Sequence, residues 1–337
     1  MADRLSLARA FADRHGRAGA EMRFLAGDAS ARRYYRLEDP RGSAVLMDAP
    51  PGQGEEIAPF VAIARHLTGL GLSAPQVLAE DPAAGFLLLE DLGDGLYARL
   101  LAADPGPEVA LYRAAVEVLA AVQANPAPPG LPELTAVDWA EATRPVLDWY
   151  VRAIVGETPR DGGLIAEMGA ALQAHADGPR VLILRDYHAE NLLWLPDRTG
   201  VARVGVLDFQ LAQMGQPGYD LVSLCQDARR DPGPGVAEAA ERHFLDLTGQ
   251  DAERFEAALA VLGAQRALRI LGIFARLCLA GGKPGYLALI PRVWGHLQQN
   301  LTHPALAGLA PICQGRLPAP TPERLERIRA QCGQHHP

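Results

Sequence analysis

The sequence predicts an α+β chain in two lobes, a small mostly β amino-terminal lobe and a larger mostly helical carboxy-terminal one. Three observations predict it. Short strand-like runs crowd the first 92 residues with one helix among them, helical periodicity dominates from residue 93 onward, and a second group of short strands interrupts the helices around residues 181–207. The domain expectation is therefore a nucleotide-handling lobe over 1–92, ending in a hinge, and a catalytic and substrate lobe with a short tail over 93–337.

The elements follow in order. Leu5, Leu7, Ala8, Phe11 and Ala12 recur at helical spacing and predict an opening helix that stops near Gly16. Strands are expected at Met22–Leu25, Arg33–Leu37 and Ala44–Asp48, a helix at Glu55–Leu70, then strands at Gln76–Ala79 and Phe86–Glu90. Helices are expected over 108–124, 138–155 and 164–176, with the Pro-rich stretch Pro126–Pro132 as an extended loop. Val181–Leu184 reads as a buried strand; Leu192–Leu195 and Val204–Leu207 read as two more, joined by a turn over Pro196–Gly200. Further helices are expected near 219–228, 236–247, 251–279 and 285–301, and at 322–329, where Thr321 is the N-cap and Pro322 the first helical residue.

With 337 residues, 49% of them hydrophobic, the chain can bury a sizeable core. A net charge of −8 argues against nucleic acid as the partner, because phosphate-backbone binding wants a clustered basic surface. Lys283 is the sole lysine, so the other basic residues are all Arg. The four cysteines lie far apart with no C-x-x-C pair, which speaks against a metal cluster or disulfide framework and fits a reducing cytosol. The first residues carry charge every few positions with no apolar leader, and no uninterrupted apolar run approaches the roughly 18 residues of a membrane span. A cytoplasmic protein without a membrane partner is expected; the oligomeric state stays open and is compatible with a monomer.

The chemistry is concentrated in Asp186-Tyr187-His188-Ala189-Glu190-Asn191, followed 17 residues after Asn191 by Asp208. An Asp and an Asn at the two ends of a short loop, with a second Asp one hairpin later, are the parts a phosphoryl transfer needs: a carboxylate for the acceptor hydroxyl and two ligands for Mg²⁺ on the ATP phosphates. A D-x-x-x-x-N string by itself also arises as a cap or turn, so the hairpin and Asp208 carry much of the weight. Gly52-Gln53-Gly54 lacks the Gly-Lys-Ser/Thr ending of a phosphate loop, and His188-x-Glu190 lacks the partner cysteines of a zinc deaminase.

These residues, with Gly215-Gln216-Pro217-Gly218-Tyr219-Asp220-Leu221, resemble the pattern of the aminoglycoside phosphotransferase family, small-molecule kinases with the protein-kinase fold. Val45-Leu46-Met47-Asp48-Ala49-Pro50-Pro51 and the stretch Gln265–Leu277 resemble its branch of anomeric N-acetylmuramate/N-acetylglucosamine kinases of peptidoglycan recycling, and the likeness runs from about Arg23 to Leu301. The resemblance implies an ATP- and Mg²⁺-dependent kinase in which Asp186 is the catalytic base and Asn191 and Asp208 hold the metal. It implies a phosphate-covering turn at Gly27-Asp28-Ala29-Ser30 and adenine recognition through the backbone of Glu90 and Leu92. Two departures stand out. The third strand offers Val45-Leu46-Met47-Asp48 where kinases carry a phosphate-binding lysine, so Arg32 or Arg33 is expected to substitute, with Glu55 or Glu56 as partner. Leu184 stands where a His usually props the catalytic loop. Asp220 is expected to cap its helix and brace that loop. For an amino sugar carrying a lactyl carboxylate, the expected contacts are His188, Trp149, Tyr150 and Arg269, the last on a face shared with Arg266 and Arg276. A kinase for another small hydroxyl, such as an aminoglycoside, a choline-like alcohol or another sugar, and a nucleotide-binding pseudokinase remain open at this stage, as does GTP in place of ATP.

Overall fold

The computed structural model describes residues 3–27, 31–52, 56–157 and 159–335. In chain order the elements are α1 (Arg4–Ala12), β1 (Glu21–Ala26), β2 (Arg33–Asp39), β3 (Gly42–Asp48), α2 (Ala58–Gly69), β4 (Val77–Asp81), β5 (Phe86–Glu90), α3 (Tyr97–Ala103), α4 (Glu108–Gln123), α5 (Ala136–Glu141), α6 (Arg152–Val155), α7 (Leu164–His175), β6 (Val181–Ile183), β7 (Leu192–Trp194), β8 (Val204–Val206), β9 (Gln213–Gly215), α8 (Tyr219–Cys225), α9 (Val236–Thr248), α10 (Ala252–Leu279), α11 (Ile290–Asn300), α12 (Leu309–Arg316) and α13 (Pro322–Arg329). They form two compact units, Met1–Gly130 with Ala189–Ala212, and Leu131–His188 with Gln213–Pro337.

The first unit is built on an antiparallel sheet in the order β1-β2-β3-β5-β4. Strand alternation puts Ala44, Leu46 and Asp48 of β3 on one face. There Ala8, Phe11 and Ala12 of α1 pack with Leu37, Ala44, Leu46, Phe86 and Leu88, while Leu5 and Leu7 of the stripe read from the sequence stay exposed. Asp48 closes this layer: it is buried, and Arg4 of α1 reaches it at 2.5 Å while lying over the Phe86 ring. Met47, one residue earlier, belongs to the opposite face. The same unit contains the β7–β8 hairpin, in which Leu192 pairs with Val206 and Trp194 with Val204.

The second unit is helical around α10, whose N-cap Asp251 accepts from the N–H of Arg254 at 2.9 Å. By length and composition α10 is apolar enough to cross a membrane, yet 83% of its most apolar window is buried inside the fold, as in a core helix. Gly272 is required by a close approach: a Cβ there would lie 2.2 Å from the carbonyl carbon of Pro145. Two expectations are corrected here. The single helix expected over 138–155 is broken into α5, a π-helical turn at Val146–Val151 and α6, because Pro145 lacks the N–H that would continue the ladder. A strand absent from the sequence reading, β9, pairs antiparallel with β6, Leu182 opposite Met214; three residues are too few to show a period.

Candidate active site

In the first unit the β7–β8 hairpin positions the two expected metal ligands. The Leu207 N–H donates to the Asn191 carbonyl at 2.9 Å, so Asn191 entering β7 and Asp208 leaving β8 stand at neighbouring strand ends. Asp208 is exposed and holds φ at 57°. Besides Arg185 it is the one non-glycine residue with positive φ among the described residues, a conformation that costs on the order of 1–3 kcal/mol and gathers at functional sites. Gln210 steadies the carboxylate by donating Nε2–H to Oδ1 at 2.6 Å. Phe209 then turns inward, fully buried, and stacks on Phe60 of α2 with centroids 4.9 Å apart, which anchors the strained turn. Among the described residues no trio of His, Cys, Asp or Glu could cage a metal ion. One exposed carboxylate with Asn191 at the neighbouring strand end fits Mg²⁺, which keeps most of its ligands as water and phosphate oxygens.

The segment after β5 is clamped by arginines. Glu90 pairs through Oε1 with Arg198 at 2.5 Å, and the same guanidinium donates to Ser73 Oγ at 2.6 Å. Arg36 of β2 grips this segment at Asp91 (2.7 Å) and Asp94 (2.8 Å), and its hydrogen bond holds the Asp94 carboxyl below the usual carboxylate range. Leu92 packs its side chain beside Gly205 of β8. Gly95 is needed because Trp194 N–H donates to its carbonyl at 2.7 Å and a Cβ would meet the Trp194 carbonyl oxygen at 2.5 Å. A cavity of about 590 Å³ follows this segment, lined by Asp91, Leu92, Gly93, Trp194 and Arg198 among others.

A second cavity, about 470 Å³, opens at the turn between β1 and β2, lined by Arg4, Gly27, Arg32, Arg33, Asp48 and Pro50. Arg33 starts β2 opposite Asp48 and is exposed, whereas Arg32 is buried to 6% exposure. Asp28, Ala29 and Ser30 of the expected phosphate turn lie outside the described residues, as does Glu55; Glu56 is exposed. The face of β3 opposite α1 carries Val45 and Met47, so no cation from this strand serves it.

In the second unit the loop carrying Asp186 is held from beneath. Asp220, fully buried on α8, accepts the N–H of Leu184 at 2.6 Å and of Arg185 at 2.8 Å. Burial pushes its pKa up to about 7, against the pull of those two N–H groups. The pair of bonds fixes the turn in which Arg185 takes φ 73° and the Asp186 N–H donates to the Leu184 carbonyl at 3.0 Å. Arg185 donates Nη1–H to Gln213 Oε1 at 2.8 Å, and its carbonyl accepts from Ser223 Oγ at 3.2 Å. Arg266, buried on α10, donates to Ser223 Oγ at 2.9 Å and to the Gln226 carbonyl at 3.2 Å. Arg269, half-buried one turn on, donates to Tyr219 Oη at 3.0 Å. The half-buried Asp186 carboxylate acts electrostatically on Arg185, Arg266 and Arg269, and these cations offset its charge. His188 is buried, and burial with the nearby Arg229 and Arg266 drives its pKa down to about 3, so its ring is neutral at pH 7.

Trp149 is half-exposed on the π-helical turn. Tyr150 beside it is fully buried and donates its hydroxyl to the Pro318 carbonyl at 2.6 Å, which leaves no ring face for a ligand. Arg276 is exposed, so the three arginines of α10 run from buried to solvent instead of forming one uniform stripe. The structure thus gathers Arg32, Arg33, Glu90, Leu92, Asn191 and Asp208 in the first unit and Asp186, His188, Arg269, Trp149, Tyr150 and Asp220 in the second. Sequence reasoning missed Arg185, Ser223, Arg36 and Arg198. The position of Arg185 directly before Asp186, and of Ser223 one helical turn after Asp220, were the available signals.

A five-stranded antiparallel sheet followed by a helical region, with an Asp, an Asn and a strained second Asp at strand ends, defines a kinase-like phosphotransferase. The chain belongs to the phosphotransferase enzyme family, whose profile matches residues 21–277. It is 39% identical over 340 residues to an N-acetylmuramate/N-acetylglucosamine kinase of Caulobacter vibrioides, covering 89% of this chain and 93% of that protein. A protein of the same description from Pseudomonas aeruginosa is 35% identical over 306 residues, covering 87% and 88%. Among solved structures, an ADP-bound aminoglycoside phosphotransferase superposes with a TM-score of 0.58 at 15% identity, covering 89% of this chain and 98% of that one, a likeness of fold.

Proposed function

We propose that this phosphotransferase moves the γ-phosphoryl group of ATP to the anomeric hydroxyl of N-acetylmuramate and N-acetylglucosamine, as a cytoplasmic enzyme of peptidoglycan recycling. The observation that carries this reading is the 39% identity, over 89% of the chain, to the Caulobacter kinase of that description. In this reading the amino-terminal lobe, residues 1–92, handles the nucleotide and residues 93–337 carry catalysis and the acceptor.

The chemistry follows from the braced loop. Asp186 accepts the proton of the anomeric hydroxyl as that oxygen bonds to the γ-phosphorus; the bond from this phosphorus to the β,γ-bridging oxygen breaks, and ADP leaves. A hemiacetal hydroxyl is more acidic than an ordinary alcohol, which suits a carboxylate base. Asn191 and Asp208 would hold Mg²⁺, which when bound neutralises charge on the β- and γ-phosphates. Glu90 and Leu92 would bind adenine through their backbones. Arg32, one residue before β2 and buried, would act as the phosphate-binding cation in place of the missing lysine, with Arg33 at the rim. His188, neutral at pH 7, can hydrogen-bond a sugar without adding charge, while Trp149 offers a half-exposed ring and Arg269 a cation for the lactyl carboxylate. Tyr150 would support Trp149 from behind through its bond to Pro318.

The test is ATP consumption with Mg²⁺ against N-acetylmuramate, N-acetylglucosamine, glucose, choline and kanamycin, with ³¹P NMR of the product. A phosphate on the anomeric carbon of the two N-acetyl sugars is the expected result; turnover confined to choline or kanamycin overturns it. In the same assay Arg32→Ala raises the KM for ATP, and an unchanged KM removes Arg32 from its role.

A further inference from the structure

The four cysteines are distant in sequence, and three of them, Cys225, Cys278 and Cys313, are buried, while Cys332 is partly exposed. The fold brings two of them together. Cys278 lies on the last turn of α10, and Cys332 follows α13. The N–H of Gly333 donates to the Cys278 carbonyl at 3.0 Å, and the N–H of His335 donates to the Leu279 carbonyl at 3.1 Å, so the chain after α13 runs back along the end of α10. Cys332 is close enough for its side chain to act on the Cys278 thiol. A backbone bond joins the Cys278 carbonyl to the residue directly after Cys332, and a disulfide requires such proximity, with Cα atoms roughly 4.4–6.8 Å apart.

The surrounding contacts make this segment a strap. Arg327 of α13 donates to the Ile154 carbonyl at 2.6 Å and Gln331, just after it, to the Ala153 carbonyl at 2.9 Å, so α13 and the residues that follow are fastened to α6 by side chains and, beyond the helix, to α10 by backbone. All of these are neutral-acceptor contacts at a partly solvated surface, individually modest. A covalent bond between Cys278 and Cys332, 54 positions apart, would close a long loop at a place where the segment already rests.

We propose that Cys278 and Cys332 form a reversible dithiol–disulfide modification site, oxidised by low-molecular-weight disulfides, that locks the carboxy-terminal strap to α10. Cys332, the solvent-reachable partner, attacks one sulfur of the oxidant as its thiolate, forming a mixed disulfide and releasing one thiol. Cys278 then loses its proton to solvent and attacks Cys332 Sγ; the second thiol departs. The net change is two protein thiols and one small disulfide converted to one intrachain disulfide and two small thiols. Burial, with the hydrogen bond to Cys332, pushes the Cys278 thiol up to about 12, which makes it the slower, resolving partner and Cys332 the point of entry.

The experiment is incubation of the full chain with glutathione disulfide, alkylation of the remaining thiols after denaturation, and peptide mass mapping with a thermal melt. The expected result is a mass lower by two hydrogen atoms, the peptides of Cys278 and Cys332 joined until reduced, and a Tm raised by roughly 5 °C that dithiothreitol reverses. Cys332→Ser loses the cross-link and the Tm rise, while Cys225→Ser keeps both. A glutathione adduct persisting on Cys332 with Cys278 still alkylated, or two alkylated thiols after prolonged exposure, overturns the proposal. No sugar or nucleotide enters the measurement, so its outcome is independent of the kinase substrate.

Discussion

The two units hold their candidate site carboxylates by opposite means. In the first, Asp208 is exposed on a strained turn, and what fixes it lies beside it: the Leu207–Asn191 backbone bond, the Gln210 amide and the buried Phe209 ring. In the second, Asp186 sits on a loop whose brace, Asp220, is fully buried and carries a pKa displaced to about 7. The difference teaches that an exposed carboxylate can be placed by local chain geometry. A half-buried loop carboxylate beside arginines draws its support from the interior, and that support costs desolvation.

The comparison is broken most directly at Asp186. Asp186→Asn is expected to lower kcat by about 10²–10⁴-fold, the span of general-base contributions. The midpoint of urea unfolding and nucleotide binding should stay near those of the unaltered chain; full turnover would end the assignment of Asp186 as base. Asp220→Ala attacks the brace instead. It strands two buried N–H groups, and the expected loss is about 2–4 kcal/mol of unfolding free energy. An Asp220→Ala protein that unfolds at the same urea concentration as the unaltered chain would show that the carboxylate braces nothing.

His188 sharpens the contrast through pH. Its folded pKa, about 3, lies below the ordinary value near 6.5, so between these values the unfolded chain binds a proton that the folded chain does not. Stability therefore falls as pH drops through that window, and at pH 5 the loss from this group is about 2 kcal/mol. In His188→Gln the difference in unfolding free energy between pH 7 and pH 5 should change by that amount, toward greater acid tolerance; an unaltered difference would refute the buried neutral ring. Asp220 acts with the other sign. Its raised pKa makes the folded chain bind the extra proton between about 4 and 7, so its contribution declines as pH rises through the window.

Much of the first unit was legible in the sequence. The strands at 22–25, 33–37, 44–48 and 86–90 fall inside β1, β2, β3 and β5, because short aromatic and aliphatic runs bounded by turn residues read directly as strands. The hairpin between Asn191 and Asp208 was readable for the same reason, and with it the spacing that makes a phosphotransferase. Less was legible where support is long-range. Nothing local marks that Ser223 links Arg185 to Arg266, 43 positions beyond Ser223, or that Arg198 closes on Glu90, 108 positions before it. Tyr150 and Trp149, adjacent and both aromatic, look alike in sequence, yet one is sealed against Pro318 and the other is half-exposed.

By itself the sequence determined the element types, the order of sheet and helices, and the residue set Asp186, Asn191 and Asp208, since these depend on periodicity, turn chemistry and short spacings along one chain. Only the tertiary structure decided that Pro145 splits a helix against Gly272, that Arg266 is buried while Arg276 is solvated, and that Cys278 meets Cys332. Each of these depends on which distant backbone closes a packed interior, and close packing is a property of the assembled volume that no local pattern encodes.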